Sequence, residues 1–277
     1  MNPLVSLIVT SKNSARTIEA CLRSAREQQY QPIELVVVDN ASSDDTPQIA
    51  RRNADIVIDK GPERSAQRNA GIGAARGEYV LVLDADMVLE RDVVAAAVEA
   101  AQGGAAVVAI PEVSFGQGFW SACKTFERAF YARDPVVSAG RFFSRQAALD
   151  AGGYDETLTG PEDWDLSMRL AGSTPIAFAR ARILHDEGRQ TLSDLFRKKY
   201  YYGRSLPAFV RKHGSAALKR LNPARSSLIA GIGEMFKHPL LACGMIVMKS
   251  VEAAGGTAGM LDARPRDISS IYRATGT

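Results

Sequence analysis

Cysteine is scarce in this 277-residue chain, and Cys21, Cys123 and Cys243 lie far apart. With no CxxC pair, neither a zinc knuckle nor a disulfide framework is expected, and a reducing, cytosolic setting fits best. No repeat or low-complexity tract is present. No basic stretch precedes the first apolar run, LVSLIVT, which is too short for a secretory signal and reads as a strand. Long uncharged runs are missing too. Within the apolar, glycine-rich segment 226–261, the longest uncharged stretch runs only from His238 to Met248. A bilayer span needs about 20 apolar residues, so an interfacial or hairpin-like pair of helices is expected there instead of one clean transmembrane helix. Acidic residues are absent from Leu195 to Gly233, where nine Lys or Arg occur. The preceding 194 residues are net acidic, so an acidic body is followed by a basic segment with a different task.

What is present is an alternation of apolar runs and helical patterns. Residues 4–10, ELVVVDN, ADIVID, EYVLVLDAD and 105–110 read as strands. Unbroken β-branched runs of this kind suit parallel strands covered on both faces. Between them, 14–28, SSDDTPQIARRNA, SAQRNAGIGAARG and 90–102 carry helical spacing, with Ser14 a predicted cap and Pro47 in a first turn. Such alternation predicts a doubly wound α/β sheet. Residues 111–150 are less regular, with an amphipathic helix expected near 118–131. AGGYDE reads as a turn, PEDWDLSMRL as an acidic helix start and PIAFAR as a short strand. Gly71, Gly73 and Gly77 precede a strand, so they fit a helix packed closely on the sheet and not a dinucleotide fingerprint.

In doubly wound sheets ligands bind beyond the carboxyl ends of the strands. Asp39 and the Asp84-Ala85-Asp86 cluster fall at such ends. Two carboxylates one residue apart suit a hard divalent cation whose shell a ligand's phosphates complete; a solvated turn would use the same residues. Asp39 suits a base or ribose, or a turn. Glu162 and Asp163 follow Pro161, where acids favour a helix N-terminus.

These pieces together resemble the inverting nucleotide-sugar glycosyltransferases of family 2, which have the GT-A fold. The match rests on VSLIVTSKNSARTIEACLRSA, ELVVVDNASSDDT, ERSAQRNAGIGAARGEYVLVLDAD, AGGYDE and GPEDWDLSMRL, and covers roughly residues 4–190. The resemblance implies a GT-A catalytic domain over 1–190, and the basic and apolar composition of 191–277 predicts a helical, membrane-associated region there. The resemblance also implies that Thr10, Ser11 and Asn13 contact the nucleotide, although the family often has proline and an aromatic at Ser11-Lys12. Asp39 would bind base or ribose, Arg68 and Asn69 would approach the nucleotide or phosphates, and Asp84 would meet ribose or sugar. Asp86 would hold Mn2+ or Mg2+ with the diphosphate, and Asp163, beside Glu162, would be the base. An inverting base must sit opposite the leaving diphosphate, away from the metal, and Asp163 comes from a separate segment as that requires. His185 is a further metal ligand in some relatives, or else a surface residue.

The basic segment interleaves Lys198, Lys199 and Arg204 with Tyr200, Tyr201 and Tyr202. Nucleic acid, a phosphorylated acceptor and a solvated amphipathic helix are alternatives to an anionic membrane surface. The adjacent apolar segment favours the membrane, and no nucleic-acid partner is expected. The leading expectation is therefore transfer of a sugar from a UDP- or GDP-linked donor to a lipid-linked or glycan acceptor, at the inner face of the cell membrane. The alternatives are a non-catalytic nucleotide-sugar or glycolipid binder and a sugar-phosphate nucleotidyltransferase. The latter needs a glycine-rich, arginine-containing loop where this chain has SKNSART.

Overall fold

A computed structural model describes residues 2–222, 227–228 and 231–263. The chain runs β1 (Val5–Ser11), α1 (Ile18–Arg26), β2 (Ile33–Asp39), α2 (Thr46–Asn53), β3 (Ile56–Asp59), α3 (Arg64–Ala74) and β4 (Tyr79–Asp84). It continues through β5 (Met87–Leu89), α4 (Val93–Gln102), β6 (Val107–Ala109), β7 (Glu112–Gln117), α5 (Phe119–Ala129), β8 (Phe142–Ser144), α6 (Arg145–Asp150) and α7 (Glu162–Ala171). Last come β9 (Ala177–Phe178), β10 (Ile183–Arg189), α8 (Leu192–Gly203), α9 (Leu206–His213), α10 (Ser215–Leu221), α11 (Ile232–Lys237) and α12 (Pro239–Leu261).

The main sheet has the order β3-β2-β1-β4-β8-β6-β9. The first four of these lie parallel, while β8 runs antiparallel to both β4 and β6. The strands are apolar on both sides because both sides are covered. Leu7, Val9, Leu35, Val37, Leu81 and Leu83 face one core with Ile18, Leu22 and Val94 of α1 and α4. Ile8, Val36, Val38, Val80 and Val82 face the other, with Ile72 of α3 and Leu166 of α7. A Cβ on Gly71 would come within 2.3 Å of Ile8 Cγ2, so α3 lies close on the sheet there as expected, whereas a Cβ on Gly73 would meet open space.

Several boundaries differ from expectation. Helix α1 begins at Ile18 and not Ser14, because Ser14 spends its carbonyl on a turn, accepting from Thr17 N and Ile18 N. The expected fifth strand is separated from β4 by β8. ILHDEGR is itself a strand, β10, in a second sheet ordered β5-β10-β7. These strands pair through distant partners, which local periodicity does not encode.

Downstream, α12 is one uninterrupted helix of 23 residues, not a hairpin pair. By length and composition it passes for a membrane span. Its glycines are contact points with α5 and α8. A Cβ on Gly244 would lie 2.4 Å from Cys123 Sγ, on Gly255 2.6 Å from Phe196 O, and on Gly259 2.0 Å from Tyr200 O. A small satellite core of Cys123, Leu195, Met245 and Met248 forms where the three helices meet.

Candidate active site

Strand register assembles the site. Ser11 on β1 stands beside Asp39 on β2, and Thr10 beside Asp84 on β4, so both carboxylates flank the end of β1. Ser11 Oγ donates to Asp39 Oδ1 at 2.9 Å. Asp39 also accepts from Ser42 N at 2.8 Å and Ser42 Oγ at 2.7 Å, which orders the loop after β2. Asn13 adopts a left-handed conformation that asparagine tolerates, and its Oδ1 accepts from Ser43 N at 2.9 Å.

Beyond these strand ends opens a cavity of about 720 Å³. Its wall includes Thr10, Ser11, Asn13, Asp84, Ala85, Asp86, Asp163 and His185, and also Lys198, Lys199 and Tyr202 of α8. Residues from both sides of position 190 thus build one cavity. Asp39, Arg68, Asn69, Glu162 and Arg204 do not line it. Asp39 lies behind Ser11. Asn69 fastens the AGGYDE turn, accepting from Tyr154 N at 2.7 Å and donating to Tyr154 O at 2.9 Å. Arg204 caps the end of α8 and is exposed.

Arg68 is fully buried and holds three carboxylates: Asp163 Oδ1 at 2.7 Å, Asp84 Oδ1 at 3.1 Å and Glu162 Oε1 at 3.2 Å. Its guanidinium also stacks over Tyr154, 5.2 Å from the ring centroid. Arg64, itself over Tyr202, reaches Glu162 Oε1 at 3.1 Å. Glu162 is 1% exposed, and burial, then the charge of Asp163, raises its carboxyl above the ordinary range. Asp84 goes the other way. Burial works against its charge, but Arg68, Arg141 and Arg64 overcome it and hold the carboxyl far below the usual range. The helix N-terminus of α7 therefore presents one carboxylate to the cavity, that of Asp163, and keeps the other as a strut.

The pairing of β10 with β5 brings His185 beside Asp86, with Nε2 3.4 Å from Asp86 Oδ2. His185 Nδ1 lies 3.0 Å from Glu112 Oε2 and 3.1 Å from Arg128 Nη1. Burial disfavours its charged form, yet hydrogen bonds with Asp86 and Glu112 raise the imidazole to about 9. Arg141 joins the two halves, with Nε 2.8 Å from Glu112 Oε1 and Nη2 3.7 Å from Asp84 Oδ2. Glu112, Arg128 and Arg141 went unread in the sequence because they sit in the irregular stretch 111–150, where no motif flags them.

The residues present fit a divalent cation. Asp86 Oδ1 is buried without a partner among the described residues, and Asp86 Oδ2 and His185 Nε2 lie adjacent. A metal-ligating imidazole whose other ring nitrogen is held by a carboxylate is a common outer-shell arrangement, and Glu112 stands in that place behind His185. No group of three protein ligands converges among the described residues, so substrate oxygens would have to complete the shell, as hard cations permit.

Comparison with known proteins agrees with this geometry. The family model described as "Glycosyl transferase family 2" matches residues 6–154. The succinoglycan biosynthesis protein ExoO of Rhizobium meliloti is 33% identical over 145 residues, covering 50% of this chain and 42% of that protein. The Escherichia coli UDP-Glc:alpha-D-GlcNAc-diphosphoundecaprenol beta-1,3-glucosyltransferase WfaP is 36% identical over 88 residues, covering 30% and 35%. The chain spans less than half the length of the curated relatives it matches. Among solved structures, the mannosyltransferase PcManGT of Pyrobaculum calidifontis, in complex with GDP-Man and Mn2+, superposes with a TM-score of 0.67 at 19% identity, covering 95% and 89% of the two chains.

Proposed function

This chain belongs to glycosyl transferase family 2 and has its mainly parallel GT-A sheet, and from that premise we propose that it transfers a sugar from a UDP- or GDP-linked donor to a lipid-linked or glycan acceptor, with inversion. The observation that carries this reading is the meeting of Asp84, Asp86 and Asp163, from two separate segments, on one cavity at the strand ends.

Ser11, Thr10 and Asn13 form the side of the cavity that suits a nucleoside, with Asp39 behind Ser11 and bonded to its hydroxyl. Asp84 suits hydroxyls of ribose or sugar. Asp86 and His185 would hold Mn2+ or Mg2+, which when bound neutralises charge on the diphosphate leaving group. Asp163 takes the proton of the attacking acceptor hydroxyl as the bond to the anomeric carbon forms. Its Oδ1 is fixed by Arg68 at 2.7 Å, which leaves Oδ2 to accept that proton. Glu162 and Arg68 are positioning residues. The GDP-Man and Mn2+ bound to PcManGT support a nucleotide-sugar donor with a divalent ion, and the diphosphoundecaprenol in the name of WfaP supports a diphosphate-linked lipid acceptor.

The C-terminal helices suit the membrane surface. Phe236, Leu240, Ile246 and Val247 are exposed on α11 and α12, while Lys249 and Glu252 of α12 are paired with each other and with Glu127 and Lys124 of α5. Helix α12 therefore lies on the membrane surface, with the protein peripheral at the cytoplasmic face. The decisive variant for the chemistry is Asp163→Asn. Transfer should be lost while nucleotide binding persists; undiminished transfer would remove Asp163 from its role.

A further inference from the structure

Two glutamates and three lysines meet beneath the α8 side of the cavity. Glu127 on α5 and Glu252 on α12 are both buried. Lys124 Nζ donates to Glu127 Oε2 at 2.8 Å and to Glu252 Oε1 at 3.0 Å. Lys249 Nζ donates to Glu127 Oε1 at 2.8 Å and to Glu252 Oε2 at 3.0 Å. Each of the four carboxylate oxygens is thus taken once, in a closed and neutral ring.

Lys199 is the third lysine. It lies on α8 against this ring, half-buried and lining the cavity, where the charges of the two glutamates are already matched by Lys124 and Lys249. Among the described residues it has no hydrogen bond and no ion pair. Burial, and then Lys124 and Lys249 against the pull of Glu252, lower its amine to about 8. Lys198, exposed on the same wall, likewise has no hydrogen bond or ion pair among the described residues, although its charge acts on Glu187. A partly desolvated cation without a counter-ion is costly, and an anion entering the cavity removes that cost.

Resting on the transferase reading above, we infer that Lys199 and Lys198 form a subsite for the phosphate or diphosphate of the acceptor. Arg204, on the far end of α8 and outside the cavity, has no part in it. The diphosphate of the donor belongs with Asp86 and its metal. The acceptor is therefore a glycosyl phosphate or diphosphate, lipid-linked or soluble, and not a neutral glycan.

Calorimetric titration of the full chain in EDTA tests this, with octyl phosphate below its micelle concentration, inorganic pyrophosphate and octyl glucoside as probes. Lys199→Ala should weaken both phosphates about tenfold or more, as loss of a charge-assisted hydrogen bond implies, and Lys199→Arg should restore them. Lys198→Ala, at an exposed position where folding is not at stake, should weaken them about threefold by the same arithmetic. Tighter binding of octyl phosphate than of pyrophosphate would identify a lipid-linked acceptor, and equal binding a soluble one. Phosphate binding unaffected by either alanine variant would overturn the inference. So would a loss no greater than that for nucleotide binding measured with Mn2+, or octyl glucoside bound as well as octyl phosphate. Metal-dependent donor hydrolysis by wild-type protein is measured alongside. Its absence would sink the transferase reading itself, whereas its presence with lysine-independent phosphate binding would sink the subsite alone.

Discussion

The molecule contains two buried charge clusters built in opposite ways. Around Arg68 and the neighbouring acids, pairing is incomplete: Arg68 Nε, Glu162 Oε2 and Asp86 Oδ1 are the three buried side-chain polar atoms without a partner among the described residues. Around Glu127 and Glu252, pairing is complete, and every carboxylate oxygen has its lysine. Native proteins seldom leave buried polar groups unsatisfied. Of the three atoms, only Asp86 Oδ1 belongs to a residue that lines the cavity, and the proposed function gives it a partner in metal or substrate; where the ring is closed, the charges hold helices together. Lys199 marks the border, a cation belonging to the closed cluster by position and to the open one by its lack of a partner.

Substitutions separate the two clusters. The largest effect is expected at Asp163→Asn, which should lower transfer about 10²–10⁴-fold, the usual worth of a general base, with the melting temperature nearly unchanged because the side chain is partly exposed. A steady-state assay beside a thermal melt reads both. Glu252→Ala opens the ring and leaves two lysines, one 11% exposed and the other 42%, to share Glu127 alone. Breaking a buried pair of this kind costs about 3 kcal/mol, or about 5 °C in melting temperature for a chain of this size, read by calorimetry. Gly259→Ala forces a Cβ against Tyr200 O and should cost about 1–2 kcal/mol by overpacking α12 on α8, read by chemical denaturation; a neutral result would mean that α12 is not tightly seated.

The smallest effect concerns pH. Lys199 is charged below about 8, and phosphate monoesters keep their second charge there because that pKa lies near 6. Octyl phosphate should therefore bind about fivefold more weakly at pH 9 than at pH 7, as expected for losing a cation worth about tenfold, and Lys199→Arg should flatten the profile. The groups facing Lys199 are Lys249 and Glu252 of α12 and Lys124 and Glu127 of α5. The native state releases this proton before the unfolded chain does, so the same group adds stability as pH rises through about 8.

The sheet was legible in the sequence where strands are continuous and buried. Valine and leucine runs marked β1, β2 and β4 and placed Asp39, Asp84 and Asp86 at their ends. Illegible were the strands that exist only through partners: β5 and β8 are short, and β10 carries His185, Asp186 and Glu187, which no hydrophobic pattern would assign to a strand. The same limit hid Arg141 and Glu112, brought to Asp84 and His185 by pairing across distant segments. Arg68 was visible as part of a motif, but its burial beneath three carboxylates follows from α3 packing on the sheet.

Release of nucleotide from a panel of UDP- and GDP-sugars, with Mn2+ or Mg2+ and then with EDTA, is the most direct test of the open cluster as a donor site. Slow, metal-dependent release from one donor, abolished by Asp86→Ala, is the predicted result. No release from any donor, together with no thermal stabilisation by any nucleotide, would contradict it and leave a family fold without its chemistry.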